Sequence, residues 1–233
     1  MPAPFTSQFV AEGGGRPIFE WRWVDRNSDE IVQKLVEHIT LTGAALGIGL
    51  ALSIGLALII LRWRWFYPIA IGATGALYVI PSLGAFALLV PFFGFTFTTA
   101  VIPLASYTLL ILVRNIITGV DQVPTDVREA AVGMGFTRRR LLWQIELPLA
   151  LPVVIAGLRV AAVTTIGLVT VTSMLGKGGL GYFILIGIQT STPNSTSIIV
   201  GIVLSVLLAV AVDLLLWLSE RALAPWARKV RAR

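Results

Sequence analysis

One stretch of the sequence, from Trp65 to Val113, contains no charged side chain. Only 13% of the 233 residues are charged and 56% are hydrophobic, whereas a soluble domain carries about 25% charged residues. Because an α-helix rises about 1.5 Å per residue, about 20 apolar residues are enough to cross the hydrocarbon core of a membrane. The run is long enough for two crossings, and it predicts an all-α, polytopic membrane protein.

Five apolar segments predict five spans, at residues 39–61, 66–90, 96–117, 149–171 and 198–217. Within the long uncharged run, Pro91 and Gly94 interrupt the hydrophobic pattern and separate the second span from the third. Residues 182–189 are also apolar, but this segment is too short to cross. We expect a re-entrant or interfacial helix there, and a sixth span would require the segment to be longer.

Lysine and arginine residues are distributed unequally between the two sides of the predicted bundle. Twelve lie on the side of the C-terminus, at positions 62, 64, 114, 128, 138, 139, 140, 221, 228, 229, 231 and 233, and five lie on the other side, at positions 16, 22, 26, 34 and 177. Basic residues favour the cytoplasmic side of a membrane. We therefore expect the N-terminus to lie outside and the C-terminus to lie in the cytoplasm.

This orientation predicts three parts: an extracytoplasmic segment over residues 1–38, a transmembrane domain over residues 39–221 and a basic cytoplasmic tail over residues 222–233. The first part has no apolar region behind a basic one, so it is not expected to be a cleavable signal peptide. The net charge of +6 is explained by membrane orientation, and we expect no binding of nucleic acid.

The sequence predicts no catalytic, metal or cofactor site. It has no cysteine and a single histidine, His38, which cannot complete a metal site alone, so an interfacial or capping role is expected. The glycine-rich segment at residues 176–181 lacks the G-x-x-x-x-G-K-[ST] pattern of a phosphate-binding loop. We interpret these glycines as a tight exit from the fourth span.

The only long polar segment between the spans covers residues 121–148. Its first part predicts a short helix that Asp126 caps, with Glu129 three residues later as in a capping box. One small apolar face of this helix, which needs a partner, is formed by Val127, Ala130, Ala131 and Met134. Gly133 and Gly135 are expected to end the helix.

A second short helix is predicted at an angle to the first, with Thr137 as its cap and Pro148 as its end. Arg138, Arg139 and Arg140 fall in its first turn, where the helix dipole disfavours positive charge. These arginines are better explained by the membrane surface or by an acidic partner than by the stability of the helix.

The spacing of seven residues in this loop reproduces the EAA motif: E-A-A, three residues, G, nine residues, I, one residue, L-P. The matching residues are Glu129, Ala130, Ala131, Gly135, Ile145, Leu147 and Pro148. On this motif the chain resembles the permease subunits of binding-protein-dependent ATP-binding-cassette (ABC) importers. The resemblance implies the fold of a type I ABC importer transmembrane domain, and it implies that the seven residues couple the permease to its ATPase.

Further segments are similar to the osmoprotectant branch of these permeases, which transports glycine betaine, choline and related amines. They are residues 80–83, 113–115, 146–152 and 176–181, although Lys177 stands where a small residue is usual. The resemblance implies three partners: a cytoplasmic ATPase dimer, a second permease chain that is identical or paralogous, and an extracytoplasmic substrate-binding protein. The chain itself is then a transport subunit of a bacterial or archaeal cytoplasmic membrane and not an enzyme.

The transport pathway is less clearly marked. Tyr78, Pro81 and Ser82 indicate a kinked second span that could line a pathway, although ordinary packing of small residues also explains its glycines. Asn115, near the end of the third span, is a further candidate. A quaternary amine favours aromatic faces, but aromatic residues are common in spans, and another small solute such as an amino acid stays open as the substrate.

Two intramembrane charges, Arg159 and Asp213, lie in the fourth and fifth spans. Such charges are costly unless they are paired or face water, and we expect them to pair with each other; snorkelling and a place along the pathway are the alternatives. A secondary transporter, the rival class, predicts internal repeats and several acidic residues at the midplane. We find no repeat and a single acidic residue, Asp213, within the spans.

Overall fold

The computed structural model describes residues 18–190 and 194–226, and within them it contains helices and no strand. We number the α-helices in chain order: α1 (Trp21–Arg26), α2 (Ser28–Arg62), α3 (Tyr67–Val79), α4 (Ser82–Phe93), α5 (Phe97–Asp121), α6 (Thr125–Gly133), α7 (Arg138–Leu141), α8 (Leu147–Val171), α9 (Gly181–Gln189) and α10 (Ser195–Leu223). One-turn helices at Arg64–Phe66 and Thr172–Leu175 and a π-helical turn at Leu142–Glu146 join several of them.

Four of the described helices are long and apolar enough to cross a membrane, namely Ser28–Arg62, Phe97–Asp121, Arg138–Leu175 and Ser195–Leu223. The second predicted span, residues 66–90, is instead a bent pair of shorter helices, in which α3 with its preceding turn and α4 meet at 89°. Five spans are therefore present if the bent pair counts as one. Residues 1–17 of the predicted N-terminal segment and residues 227–233 of the basic tail lie outside the described ranges.

Helix α2 is longer than the predicted first span, because it begins at Ser28 and not near residue 39. Asp29 and Glu30 lie in its first turn, where negative charge is favourable next to the helix N-terminus. At about 1.5 Å per residue, its 35 residues exceed the thickness of a hydrocarbon core of about 30 Å. The helix therefore extends past the apolar span at its N-terminal end.

Helix α5 is the centre of the bundle and packs against both α2 and α8. Where α5 crosses α8, the backbones are so close that glycine is required. A Cβ atom at Gly157 of α8 would overlap the side chain of Asn115, and one at Gly119 of α5 would lie 3.0 Å from the carbonyl oxygen of Ala150. Small residues let helix backbones approach closely in this way, so the α5–α8 contact is fixed by its glycines.

The bent pair α3–α4 contacts the bundle much less closely. The bend lies at Ile80 and Pro81, and Pro81 precedes the first residue of α4. A Cβ atom at Gly72, Gly75 or Gly84 would meet nothing within 4 Å in this chain. Packing within the chain therefore does not explain these glycines, and a large part of this pair is exposed in the single chain.

At the far end of α8 the chain turns tightly through the glycine-rich segment, as predicted. Gly176 and Gly179 have φ angles of +69° and +49°, which are left-handed conformations that favour glycine. His38 is fully buried beside this turn. Its Nδ1 accepts a hydrogen bond from the N–H of Leu180 at 3.3 Å, and its Nε2 lies 3.1 Å from the carbonyl oxygen of Ile166.

His38 therefore joins three elements: α2, α8 and the start of α9. Because Leu180 immediately precedes α9, the acceptor Nδ1 satisfies a backbone N–H at the N-terminus of that helix, where intrahelical partners are lacking. This is a capping role, although His38 lies within the bundle and not at its surface.

The predicted pair of intramembrane charges is present. Nε and Nη2 of Arg159 donate hydrogen bonds of 2.7 and 2.8 Å to the two carboxylate oxygens of Asp213. Glu220 lies further away, with a carboxylate oxygen 4.0 Å from Nη1 of Arg159. This two-bond geometry is favourable for arginine and carboxylate, and it connects α8 to α10.

Candidate functional site

The loop that carries the seven motif residues forms helix α6, which ends as predicted at its glycines. Gly135 has a φ angle of +84°. Its N–H donates to the carbonyl oxygen of Val132 at 2.9 Å, and the N–H of Phe136 donates to that of Ala131 at 3.1 Å. These two bonds and the left-handed residue form a Schellman motif. Gly135 of the motif is therefore required by the backbone turn that stops the helix.

The predicted capping box at the start of α6 is wrong. Helix α6 begins at Thr125, Pro124 occupies the capping position, and no side chain there bonds the free backbone groups. Asp126 lies one residue inside the first turn, so it stabilises the helix through the dipole and not as a cap. Proline at this position has no side-chain oxygen that could accept from the free N–H groups of the first turn.

The predicted apolar face of α6 is split between two environments. Ala131 is buried, with 1% of its surface exposed, and Val127 is half-buried. Ala130 is exposed, Met134 is 71% exposed, and Val132, which was not part of the predicted face, is 60% exposed. Ala131 therefore packs within this chain, while Ala130 and Met134, which are four residues apart on one side of the helix, are free to contact another protein. Val132 is exposed on a different side of the helix.

The rest of the motif does not lie on a separate short helix. The segment from Arg138 to Leu175 is one long helical unit, so the prediction that Pro148 ends a second helix is wrong. Proline cannot donate to the carbonyl group four residues earlier, and its ring would clash there. The π-helical turn at Leu142–Glu146, immediately before it, widens the helix where this conflict arises and lets the helix continue.

Ile145, Leu147 and Pro148 are therefore in or next to this π-helical turn, at the point where the loop becomes the fourth span. All three are partly buried. The predicted cap of this helix is present, because the Thr137 hydroxyl accepts a hydrogen bond from the N–H of Arg140 at 3.4 Å. The motif thus connects one exposed helix directly to a membrane-spanning helix.

Arg128 is the residue that links α6 to the spans, and the sequence analysis did not identify it. Its Nη2 donates a hydrogen bond of 2.6 Å to the carbonyl oxygen of Val120, near the end of α5. Its Nε lies 2.9 Å from a carboxylate oxygen of Glu146 in an ion pair, although the angle does not suit a hydrogen bond. The sequence feature that could have indicated this contact is the presence of opposite charges, Arg128 and Glu146, in one loop.

The candidate pathway residues are not all brought together. Tyr78 is 41% exposed and its ring lies 6.0 Å from that of Tyr107 in an edge-to-face arrangement. The Tyr107 hydroxyl donates a hydrogen bond of 2.7 Å to the carbonyl oxygen of Ile80, at the bend that Pro81 and Ser82 form.

Asn115 lies elsewhere, in the contact between α5 and α8. It donates to the carbonyl oxygen of Ile111 within its own helix at 2.8 Å. The two groups of candidates are eight residues apart along α5, at Tyr107 and Asn115, which corresponds to about 12 Å along a helix. The bend and Asn115 therefore form two places and not one site.

The sequence of the bundle and the loop matches one known family. Residues 43–225 match the family described as "Binding-protein-dependent transport system inner membrane component". The chain belongs to this family. It is thus a multi-pass membrane protein and the permease subunit of an ABC importer.

Relatives of this permease include osmoprotectant transport proteins. The chain is 35% identical to the osmoprotectant import permease protein OsmW of Salmonella typhimurium over 205 residues, which cover 85% of this chain and 94% of the relative. It is 33% identical to the choline transport system permease protein OpuBB of Bacillus subtilis over 204 residues, covering 88% of this chain and 93% of the relative.

Solved structures with the same fold are transmembrane chains of ABC importers. The chain resembles the inward-facing MetNI methionine ABC transporter with a TM-score of 0.72 and 21% identity, over 83% of this chain and 95% of the other. It also resembles an amino acid ABC transporter with histidines, with a TM-score of 0.73 and 20% identity, over 87% of this chain and 98% of the other. At this identity the comparison confirms the type I importer fold.

Proposed function

We propose that this permease imports an osmoprotectant quaternary amine, such as glycine betaine or choline, and that α6 couples it to a separate ATPase. The observation that carries the coupling part is the position of α6. It presents an exposed apolar surface, formed by Ala130 and Met134, and it is connected to the spans through Arg128. Nucleotide binding and hydrolysis occur on the ATPase dimer, and this chain holds no cofactor.

The coupling works as a mechanical connection between the docking helix and two spans. When the ATPase surface under Ala130 moves, α6 moves with it. Arg128 transmits this displacement to Val120 at the end of α5 and to Glu146 at the start of α8, because it contacts both. The Schellman turn at Gly135 keeps α6 at a defined angle to the long helix that follows. Alternation of the pathway between its two openings follows from the movement of these helices.

The test replaces an exposed residue of α6 with a bulky one. Ala130→Trp is expected to abolish solute uptake, because the larger side chain separates the permease from its ATPase. The matched control is Ser219→Trp, since Ser219 is also exposed but lies near the end of α10, away from α6. Uptake and ATP hydrolysis are measured together in vesicles that contain the complete importer.

ATP hydrolysis that persists in Ala130→Trp is expected to lose its dependence on the loaded binding protein. Co-purification of the subunits reports assembly. Uptake by Ala130→Trp at the rate of the parent would exclude α6 as the coupling element. Ala131→Trp is less informative than Ala130→Trp, because Ala131 is buried within this chain and the variant would also disturb its own packing.

The substrate part of the proposal is supported by the relatives, which are named as osmoprotectant and choline permeases, and by the aromatic pair at the bend. Tyr78, which is 41% exposed, presents its ring near a break in the helix, beside the buried ring of Tyr107, and a quaternary ammonium group is attracted to aromatic faces. Pro81 and Ser82 shape this bend, and Asn115 is a second candidate position along α5.

Uptake of radiolabelled glycine betaine and choline is compared with that of methionine in vesicles that contain ATP and the binding protein. We expect ATP-dependent uptake of an amine that continues when ion gradients are collapsed. Uptake of methionine alone would favour an amino acid permease, the second candidate, to which the solved structures with this fold belong. Uptake that requires an ion gradient and no ATP would contradict both.

The assembly and its orientation are also proposals. The exposed glycines of α3 and α4 leave room for a second permease chain against the bent pair, and two chains related by a two-fold axis would enclose the pathway.

We propose that the turn at Lys177 faces the outside and that Gln122 faces the cytoplasm. The chain has no cysteine, so Lys177→Cys is expected to react with an impermeant thiol reagent in intact cells and Gln122→Cys is not. The reverse pattern would overturn this orientation.

A further inference from the structure

A cavity of about 530 Å³ lies between the C-terminal end of α2 and the segment that follows α6. Five arginines line it, namely Arg62, Arg64, Arg128, Arg138 and Arg139, together with one carboxylate, that of Glu146. This excess of positive charge is large for one cavity. A negatively charged group with several acceptor oxygens is the ligand that such a set of guanidinium groups binds best.

The arginines differ in how far their charges are compensated within the described part of the chain. Arg64 forms two hydrogen bonds with the carboxylate of Asp121, at 2.6 and 3.2 Å, and Arg128 is paired with Glu146. Arg138 donates only to the carbonyl oxygen of Leu61, at 3.0 Å, and so has no carboxylate partner among the described residues.

Arg62 and Arg139 are the least compensated of the five. Both are exposed, and neither contacts a carboxylate in residues 18–190 and 194–226. The guanidinium carbon of Arg62 lies 5.9 Å from the centroid of the Trp63 ring. These two guanidinium groups are therefore available for an anionic ligand.

The surroundings of the cavity place it at a membrane surface. Leu58 and Leu61, from the last turns of the first span, form part of its wall. Trp63 and Trp65 come just after this span and are 53% and 69% exposed. Tryptophan is enriched where a span leaves the hydrocarbon core. A ligand in this cavity has its charge among the arginines and an apolar part beside the leucines.

We propose that this cavity is a binding site for the phosphate headgroup of an anionic phospholipid. Basic pockets between helices at the membrane surface bind such headgroups, and the apolar wall matches the start of an acyl chain. The occupied site joins the end of α2 to the segment that carries Arg138 and Arg139. It also explains two of the three successive arginines in a first helical turn, Arg138 and Arg139, where the dipole opposes them.

The test measures lipid binding by the complete importer, purified with its ATPase and binding protein. Phosphatidylglycerol or phosphatidylcholine is titrated into the complex and bound lipid is counted by native mass spectrometry. In the double variant Arg62→Gln/Arg139→Gln, we expect the affinity for phosphatidylglycerol to fall about tenfold or more, since each basic residue near an anionic membrane surface contributes about a factor of five. Binding of phosphatidylcholine is expected to be unchanged.

The matched control removes two positive charges outside the cavity, in Arg140→Gln/Arg221→Gln, and is expected to change the affinity less than twofold. Arg62→Lys/Arg139→Lys keeps the charges and should retain most of the binding. If both glutamine double variants lost the same affinity for phosphatidylglycerol, the effect would depend only on net charge and the proposed site would be excluded.

Inorganic phosphate distinguishes the two sources of a phosphate group. It is not expected to displace phosphatidylglycerol, because it has no apolar part for the leucine wall. Displacement by phosphate would identify a soluble anion as the ligand and contradict the lipid proposal. Unchanged lipid binding in Arg62→Gln/Arg139→Gln, accompanied by loss of the ATPase subunit, would show instead that an acidic protein surface occupies the cavity.

Discussion

An added Cβ atom has opposite consequences at the two ends of the bundle. In the glycine-rich turn after α8, it would overlap neighbouring backbone at Gly178 and Gly181 and would lie 2.6 Å from Cβ of His38 at Gly179. In the loop at the other end, it would meet nothing within 4 Å at Gly133 or Gly135. Glycine is required in the turn because a larger residue has no space there. At Gly135 it is required because the backbone adopts a left-handed conformation.

This difference separates a closed region from an open one. The turn after α8 is held by a buried hydrogen bond from the N–H of Leu180 to Nδ1 of His38 at 3.3 Å. Helix α6 has one buried residue, Ala131, and leaves most of its surface exposed. Glycine in the first region serves this chain's own packing, whereas the second region leaves room for a partner.

The largest effect is expected at Gly181. In Gly181→Ala the new methyl group would overlap the backbone of Thr170, which cannot move as a flexible side chain can, and overpacking of this kind costs about 3 kcal/mol. The Tm of the purified chain should fall strongly. The control is Gly55→Ala in α2, where an added Cβ meets nothing within 4 Å, so its Tm should stay the same or rise slightly. Equal Tm values for the two variants would contradict the comparison.

His38→Ala is expected to have the next largest effect, about 2 kcal/mol. The substitution leaves the buried N–H of Leu180 without its acceptor and removes the hydrogen bond to the carbonyl oxygen of Ile166. An unsatisfied buried group costs about 1–3 kcal/mol. Hydrogen exchange should then accelerate at residues 177–183 more than in α6. Uniform acceleration across the chain would mean that His38 stabilises the bundle as a whole and not this turn.

The pair between α8 and α10 tests a contact that lies between the two ends. Asp213→Asn removes the charge that faces Arg159 at 2.7 Å, and the Tm is expected to fall. Because Glu220 keeps a second carboxylate near Arg159, the shift should be smaller than that of His38→Ala. Glu220→Gln is the control, since Glu220 lies 4.0 Å from Arg159, and its Tm should be nearly that of the parent. A larger effect of Glu220→Gln would show that Glu220, and not Asp213, is the main partner of Arg159.

The sequence predicted the spans and the tight turn because these depend on local properties. Hydrophobic runs located the helices, and Pro91 and Gly94 marked the end of α4 where the chain turns. The intramembrane pair was also predicted, since two isolated charges in lipid have few alternatives. The loop residues were located by their spacing, which requires no knowledge of contacts.

What could not be predicted depends on contacts between distant parts of the chain. The amphipathic pattern of α6 gave no reason to separate Ala130 from Ala131, because both lie on one face of an isolated helix, and only the surrounding bundle buries one of them. The same holds for Arg128, whose partners Val120 and Glu146 come from two spans. The π-helical turn before Pro148 is likewise a compromise between proline and a helix that continues.

The smallest effect is expected from a pair of adjacent substitutions in the open region. Gly135→Ala places a Cβ on a residue with a φ of +84°, and a left-handed conformation costs a residue with a side chain about 1 kcal/mol. Gly133→Ala adds the same group to the last residue of α6, where alanine favours the helix by about 1 kcal/mol. Neither meets another atom within 4 Å, so the two variants differ in backbone conformation alone. The Tm should fall slightly for Gly135→Ala and not for Gly133→Ala. If the two variants lost stability equally, space and not conformation would be limiting at this end of the bundle too, and the contrast with the turn after α8 would fail.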